Sequence, residues 1–134
     1  MAHRRGNPAT VFKPTSEYFQ WVRAGDLIFT AGVIPVDVNR KLVGAGDIEA
    51  QTRQVLKNIG LILEDAGARW ADVVKLNTYL SDLSTIERMR AARRAFFAEA
   101  GVVEYPAANA LEIHRLGTVG GVLIEVEAIA VVPH

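Results

Sequence analysis

The chain has 134 residues, half of them hydrophobic and 22% charged, which fits one globular domain and argues against disorder. Fifteen Lys and Arg balance fifteen Asp and Glu. The net basic face that non-specific nucleic-acid binding draws on is therefore missing, and no nucleic-acid partner is expected. The absence of cysteine removes disulfide scaffolds, thiolate nucleophiles and Cys-ligated zinc.

Residues 1–16, with Pro8 and Pro14, read as an irregular arm ahead of a single domain over residues 17–134. Arg4 and Arg5 lead into polar residues rather than an apolar core, which speaks against a secretory leader. The longest apolar runs, such as 128–132, fall far short of the ~20 residues of a membrane span. The expectation is a cytoplasmic protein with no membrane partner.

Residues 18–22 predict a short strand and residues 27–30 a second, separated by the turn signal at 23–26. Asp47 is a good N-cap for a helix whose apolar positions, Ile48, Val55, Leu56, Ile59, Ile62, Leu63 and Ala66, recur at steps of three and four. Gly67 follows as its C′ residue. Residues 72–80, rich in β-branched and aromatic side chains, predict a third strand. Ser84 to Glu87 reads as a capping box that opens a second helix, which buries Ile86, Met89, Ala92, Phe96 and Ala100 and closes at Gly101. Two further strands are expected at 109–116 and 122–132, joined as a hairpin across Gly117, Gly120 and Gly121.

The order β-β-α-β-α-β-β defines an α+β two-layer sandwich, with helices on one sheet face. In the last strand Ile124, Val126, Ala128, Ala130 and Val132 share one face, and Glu125, Glu127, Ile129 and Val131 the other. That second face starts charged and ends apolar. It points to an oligomer with a polar pocket at one end of the interface.

The candidate chemistry is sparse. His3, His114 and His134 lack any metal-ligand spacing, so no metal is expected. Gly44 to Asp47 precedes a helix, yet it lacks the glycines of a dinucleotide fingerprint and reads as a turn with a cap. Arg88, Arg90, Arg93 and Arg94 form a basic cluster on the second helix. With Glu87 and Glu99 nearby and no stacking aromatics in register, they read as a solvated face rather than an RNA stripe. Glu112, Glu125 and Glu127 stand within strands, where Glu is disfavoured. A carboxylate on a buried face is paired or functional, so one of the three is either an acid–base residue or half of a structural ion pair.

Eight segments together carry a resemblance: EYFQ at 17–20, FTAGVIPV at 29–36, QTRQVLKNI at 51–59, VVK at 73–75, AFF at 95–97, YPA at 105–107, LEIHRL at 111–116 and IEVEAIAV at 124–131. In order and spacing they resemble the Rid family of reactive-intermediate deaminases, also called YjgF, over about residues 17–132. The resemblance implies a chorismate-mutase-like fold and a homotrimer with inward-facing sheets and inter-subunit pockets. It also implies hydrolysis of enamines and imines, such as 2-aminoacrylate, to a keto acid and ammonia, without metal or organic cofactor.

Residue by residue, the match is partial. Tyr18, Gly32 and Glu125 are retained, and the resemblance implies that Glu125 orders the attacking water. Where the deaminating members carry a carboxylate-binding arginine after Tyr-or-Phe-Pro-Ala, this chain has Ala108, followed by Asn109. The family's Ser-Gly-Gln is Ala31-Gly32-Val33, its pocket cysteine is Ala110, and its helix asparagine is Arg90. Tyr18, Ala31, Gly32, Arg90, Ala108, Asn109 and Ala110 are thus the expected substrate-binding positions. With the clamp gone, the pocket is expected to be wider and more apolar, for an imine bulkier or less acidic than 2-aminoacrylate. A long arginine at position 90 could reach the opening that Ala108 leaves. A diverged member that binds a small molecule or performs another reaction is the alternative. RNA cleavage fits poorly with zero net charge and no histidine acid–base pair.

Overall fold

The computed structural model describes residues 2–133; His134 lies outside them. Strands β1 (Arg4–Gly6), β2 (Trp21–Ala24) and β3 (Leu27–Thr30) precede helix α1 (Ile48–Asp65). Strand β4 (Val73–Leu80), helix α2 (Ile86–Glu99) and strands β5 (Ala107–Glu112) and β6 (Ile124–Val131) complete the order. The described strands form one sheet, β1-β2-β3-β6-β4-β5, with both helices on one face, the α+β two-layer arrangement expected.

The helix ends follow from local chemistry. Asp47 caps α1, its carboxylate accepting the Glu49 and Ala50 N–H groups at 3.0 and 3.1 Å. Gly67 follows the helix with φ of 85°, a conformation that favours glycine. At α2 the expected capping box does not form. Asp82 lies two residues earlier and takes the Ser84 N–H at 2.9 Å, so a short 3-10 turn over Leu83–Thr85 leads into a helix that begins at Ile86.

Three further expectations are corrected. Residues 4–6 of the arm are a strand paired to β2, and Val11 and Phe12 are buried in the core. The strand expected at 18–22 begins at Trp21. Most importantly, β5 and β6 are not a hairpin: β6 lies between β3 and β4, antiparallel to both, while β5 runs parallel to β4 with α2 as the crossover. A parallel pair requires such a crossover, and α2 supplies it.

The core fills the helix side. Val55, Ile59, Ile62 and Leu63 of α1, with Met89 and Phe97 of α2, are buried with Ile28, Leu76, Leu80, Ile124, Val126 and Ala128 of the sheet. Each of the Val, Leu, Ile, Met and Phe side chains contributes about 1.5–3 kcal/mol when fully buried. Buried amides hold the loops. Gln51 donates to the Gly44 and Gly121 carbonyls and accepts the Leu123 N–H, and Asn58 donates to Ile34 and Val36.

The other face has two halves. Leu27 and Phe29 of β3 are exposed beside Val131 and Ile129 of β6. Further along, Asn77 and Tyr79 of β4 stand between Asn109 and Leu111 of β5 and Glu127 and Glu125 of β6. The change from charged to apolar along β6 is as expected.

Candidate active site

The polar half of the open face is organised around two carboxylates that differ in their partners. Glu127 accepts a hydrogen bond from the Tyr79 hydroxyl at 2.8 Å and from Asn77 Nδ2 at 3.1 Å. The hydrogen bond to Glu127, then burial and the Glu127 charge, push the Tyr79 hydroxyl pKa above its ordinary value. Glu125, two residues earlier on the same face, is half-buried. It has no hydrogen-bond or ion-pair partner among the described residues. Burial, and secondarily the Glu127 charge, raise its pKa above that of an ordinary glutamate. The two carboxylates thus differ in what surrounds them: Glu127 is held by two donors, and Glu125 is left to exchange a proton.

Gly32 determines where Glu125 lies. The Val33 and Val126 N–H groups each donate to the other's carbonyl, at 2.8 and 3.0 Å, which sets the segment around Gly32 beside β6. A Cβ at position 32 would stand 2.5 Å from Glu125 Oε2. Only glycine leaves room for the carboxylate there. Ala31 donates its N–H to the Gln20 carbonyl at 2.9 Å, which brings the Tyr18–Gln20 segment alongside. Tyr18 itself is half-exposed and makes no hydrogen bond or ring contact with Glu125 among the described residues.

Arg90 and Ala108 lie elsewhere. They line a cavity of about 290 Å³ between α2 and the start of β5, together with Arg93, Arg94, Phe97 and Tyr105. Leu76 and Ala108 are register partners facing the helices, whereas Tyr79 and Glu125 are partners on the open side. The expected site residues therefore do not converge in one chain. Glu125, Gly32 and Ala31 gather by one face, Arg90 and Ala108 by the other. Asn109 stands beside Asn77 on the open face, and Ala110 beside Thr78 on the helix face. Arg90 pairs with Glu87 at 2.7 Å, as a solvated helix arginine would. The cavity lining is mixed: Leu76, Phe97, Tyr105, Pro106 and Ala108 stand beside the three guanidinium groups.

Two features escaped sequence reasoning. Asn77 and Tyr79 fall within the strand predicted at 72–80, and their period-two spacing matches that of Glu125 and Glu127. Arg93 was read as solvated, yet it is half-buried, and burial together with Arg90 and Arg94 lowers its pKa.

A mixed sheet covered on one face by two helices is an architecture that known proteins share. The family model described as Endoribonuclease L-PSP matches residues 9–132. A RutC family protein of Pyrococcus abyssi is 43% identical over 118 residues, 88% of each chain. The 2-iminobutanoate/2-iminopropanoate deaminase of Salmonella typhimurium is 40% identical over 114 residues, 85% of this chain and 86% of that one. The crystal structure of the Escherichia coli YjgF gene product superposes with a TM-score of 0.87 at 34% identity, covering 96% of this chain and 98% of that one. The chain belongs to this YjgF/RutC family, the Rid family of the resemblance.

Proposed function

We propose that the protein hydrolyses an imine or enamine intermediate to a carbonyl compound and ammonia, with Glu125 as general base. The observation that carries this reading is the partnerless, desolvated Glu125 carboxylate beside Gly32, next to a Glu127 whose charge is already satisfied. A raised pKa makes Glu125 a stronger proton acceptor than an ordinary glutamate. Water oxygen adds to the imine carbon while Glu125 takes a water proton. Glu125 passes that proton to the nitrogen, giving a carbinolamine; the remaining hydroxyl proton then moves to the nitrogen by way of the same carboxylate, the C–N bond breaks, and ammonia leaves as the C=O bond forms.

The working site is shared between subunits of a homotrimer. One chain carries the carboxylate on the open face and the cationic cavity on the helix face, so a single copy cannot present both to one substrate. The exposed Leu27 and Phe29, beside Ile129 and Val131, supply apolar area for the contact. The substrate is bulkier than 2-aminoacrylate, since Ala108 leaves the cavity open. The guanidinium groups there argue against the less acidic substrate that Ala108 alone would imply.

The test is to generate 2-aminoacrylate and larger 2-imino acids in situ and to follow their decay with and without the protein. Accelerated decay of the larger imines supports the reading. No acceleration with any of them would favour a non-deaminating member that only binds its ligand.

A further inference from the structure

Helix α2 carries four arginines, and their partners differ. Arg88 Nε lies 3.2 Å from Glu49 Oε1, and Arg90 Nη1 lies 2.7 Å from Glu87 Oε1. Glu99, the other acid near the cluster, is taken by Arg53 at 2.9 Å. Arg93 and Arg94 have no acidic partner among the described residues, and both line the cavity that Ala108 borders. Glu104, beside Tyr105 in the chain, makes no ion pair with either.

Arg93 is half-buried. A partly desolvated guanidinium without a counter-charge is costly to hold. The two neighbouring arginines increase that cost, and an entering anion removes it. The rest of the lining includes Phe97, one turn further along α2, which stacks on Tyr105 with ring centroids 5.9 Å apart. Cations beside aromatic rings suit a short, anionic carbon chain.

We propose that the anion anchor of this chain stands on α2, as Arg93 and Arg94, and that the imine it takes is a dicarboxylic one. The proposal rests on the imine-hydrolase reading and names its substrate class. Two unpaired guanidiniums match two carboxylates, each able to form a two-pronged, charge-assisted pair. Arg90, engaged by Glu87, adds field rather than a free fork. The cavity of about 290 Å³ stands at the small end of small-molecule sites, with room for a diacid and too little for a nucleotide. Ala108 is part of the same arrangement, because an arginine there would fill the space the second carboxylate needs.

Calorimetric titration of the intact protein with stable keto acids tests this apart from catalysis, since the products bind without reacting. The probes are 2-oxobutanoate, 2-oxoglutarate and inorganic phosphate. The dicarboxylate should bind about tenfold or more tighter than the monocarboxylate, the margin one added charge-assisted pair supplies. Arg93→Met, which keeps the aliphatic stem, should remove most of that preference. Arg94→Met should reduce it less, because Arg94 is more exposed and more screened. Arg88→Met, outside the cavity, should leave it unchanged. Circular dichroism of each variant separates loss of binding from loss of fold. Equal affinity for the two keto acids would overturn the proposal, as would a preference that survives both Arg93→Met and Arg94→Met. Phosphate binding as tightly as the dicarboxylate would overturn the diacid assignment. An intact diacid preference in a protein that hydrolyses no imine would instead overturn only the reaction.

Discussion

The two sides of the sheet carry opposite electrostatic problems. On the open face the unsatisfied group is an acid, Glu125, set against Gly32 and beside a Glu127 already held by Tyr79 and Asn77. On the helix face the unsatisfied groups are bases, Arg93 and Arg94, around a cavity with aromatic walls. Each side alone is a destabilising arrangement, and neither contains what would relieve it. A proton relieves the first and an anion the second, and an imino acid undergoing hydrolysis brings both. The acid and the bases stand on different elements, Glu125 on β6 and Arg93 and Arg94 on α2, so each can vary without the other.

The largest effect should come from Glu125→Gln, which keeps shape and removes the base. Turnover should fall by about 10²-fold or more. Stability should move the other way. The folded-state pKa of Glu125 is raised, so the folded protein binds this proton more tightly than the unfolded chain does. Its ionisation therefore weakens the fold as pH rises from the ordinary glutamate value through the raised one. Near neutral pH the Gln variant should melt no lower than the parent, and its melting temperature should lose that segment of pH dependence. A structural ion pair at Glu125 predicts the reverse: a lower melting temperature with turnover kept. In the parent, activity should decline as pH falls through the raised pKa, because the base becomes protonated.

Gly32→Ala sharpens the comparison from the backbone side. Its Cβ would meet the Glu125 carboxylate at 2.5 Å. The clash is with the end of a flexible side chain, so the fold should survive while the carboxylate turns away. Turnover should fall by about tenfold to a hundredfold, the scale of a misplaced catalytic group. Thermal melting checks that the loss is local.

The smallest effect belongs to Tyr79→Phe. Losing one donor to Glu127 should cost about 0.5–1.5 kcal/mol in denaturant unfolding. Glu127, less well compensated, then presses harder on Glu125. The acid limb of the rate–pH profile should move to higher pH, with only a modest loss of rate at neutral pH. A limb that does not move would mean that the two carboxylates are uncoupled.

Much of this was legible in the residues, for identifiable reasons. Period two along the last strand separates Ile124 from Glu125, and a good cap marks Asp47, because both signals are local. Strand order was not legible. The glycines between Leu116 and Val122 look like a hairpin turn. What decides the pairing is the apolar face of β6, which finds β3 and β4 from far away in sequence. The same non-local step split the expected site residues. Ala108 and Asn109 are neighbours in the chain, yet they face opposite sides of the sheet. The unpaired state of Arg93 depends on where Glu49, Glu87 and Glu99 find their partners, which helical spacing does not show.

Mixing two damaged proteins tests most directly whether one site is built from both faces of different copies. Glu125→Gln removes the base, and Ala108→Trp plugs the cavity, so each alone should be inactive. Co-refolded in equal amounts, they should recover about a quarter of parental activity. In a closed ring of shared sites, that is the fraction receiving an intact half from each neighbour. A mixture as inactive as its parents, or an Ala108→Trp protein that hydrolyses imines normally, would contradict a site assembled between chains.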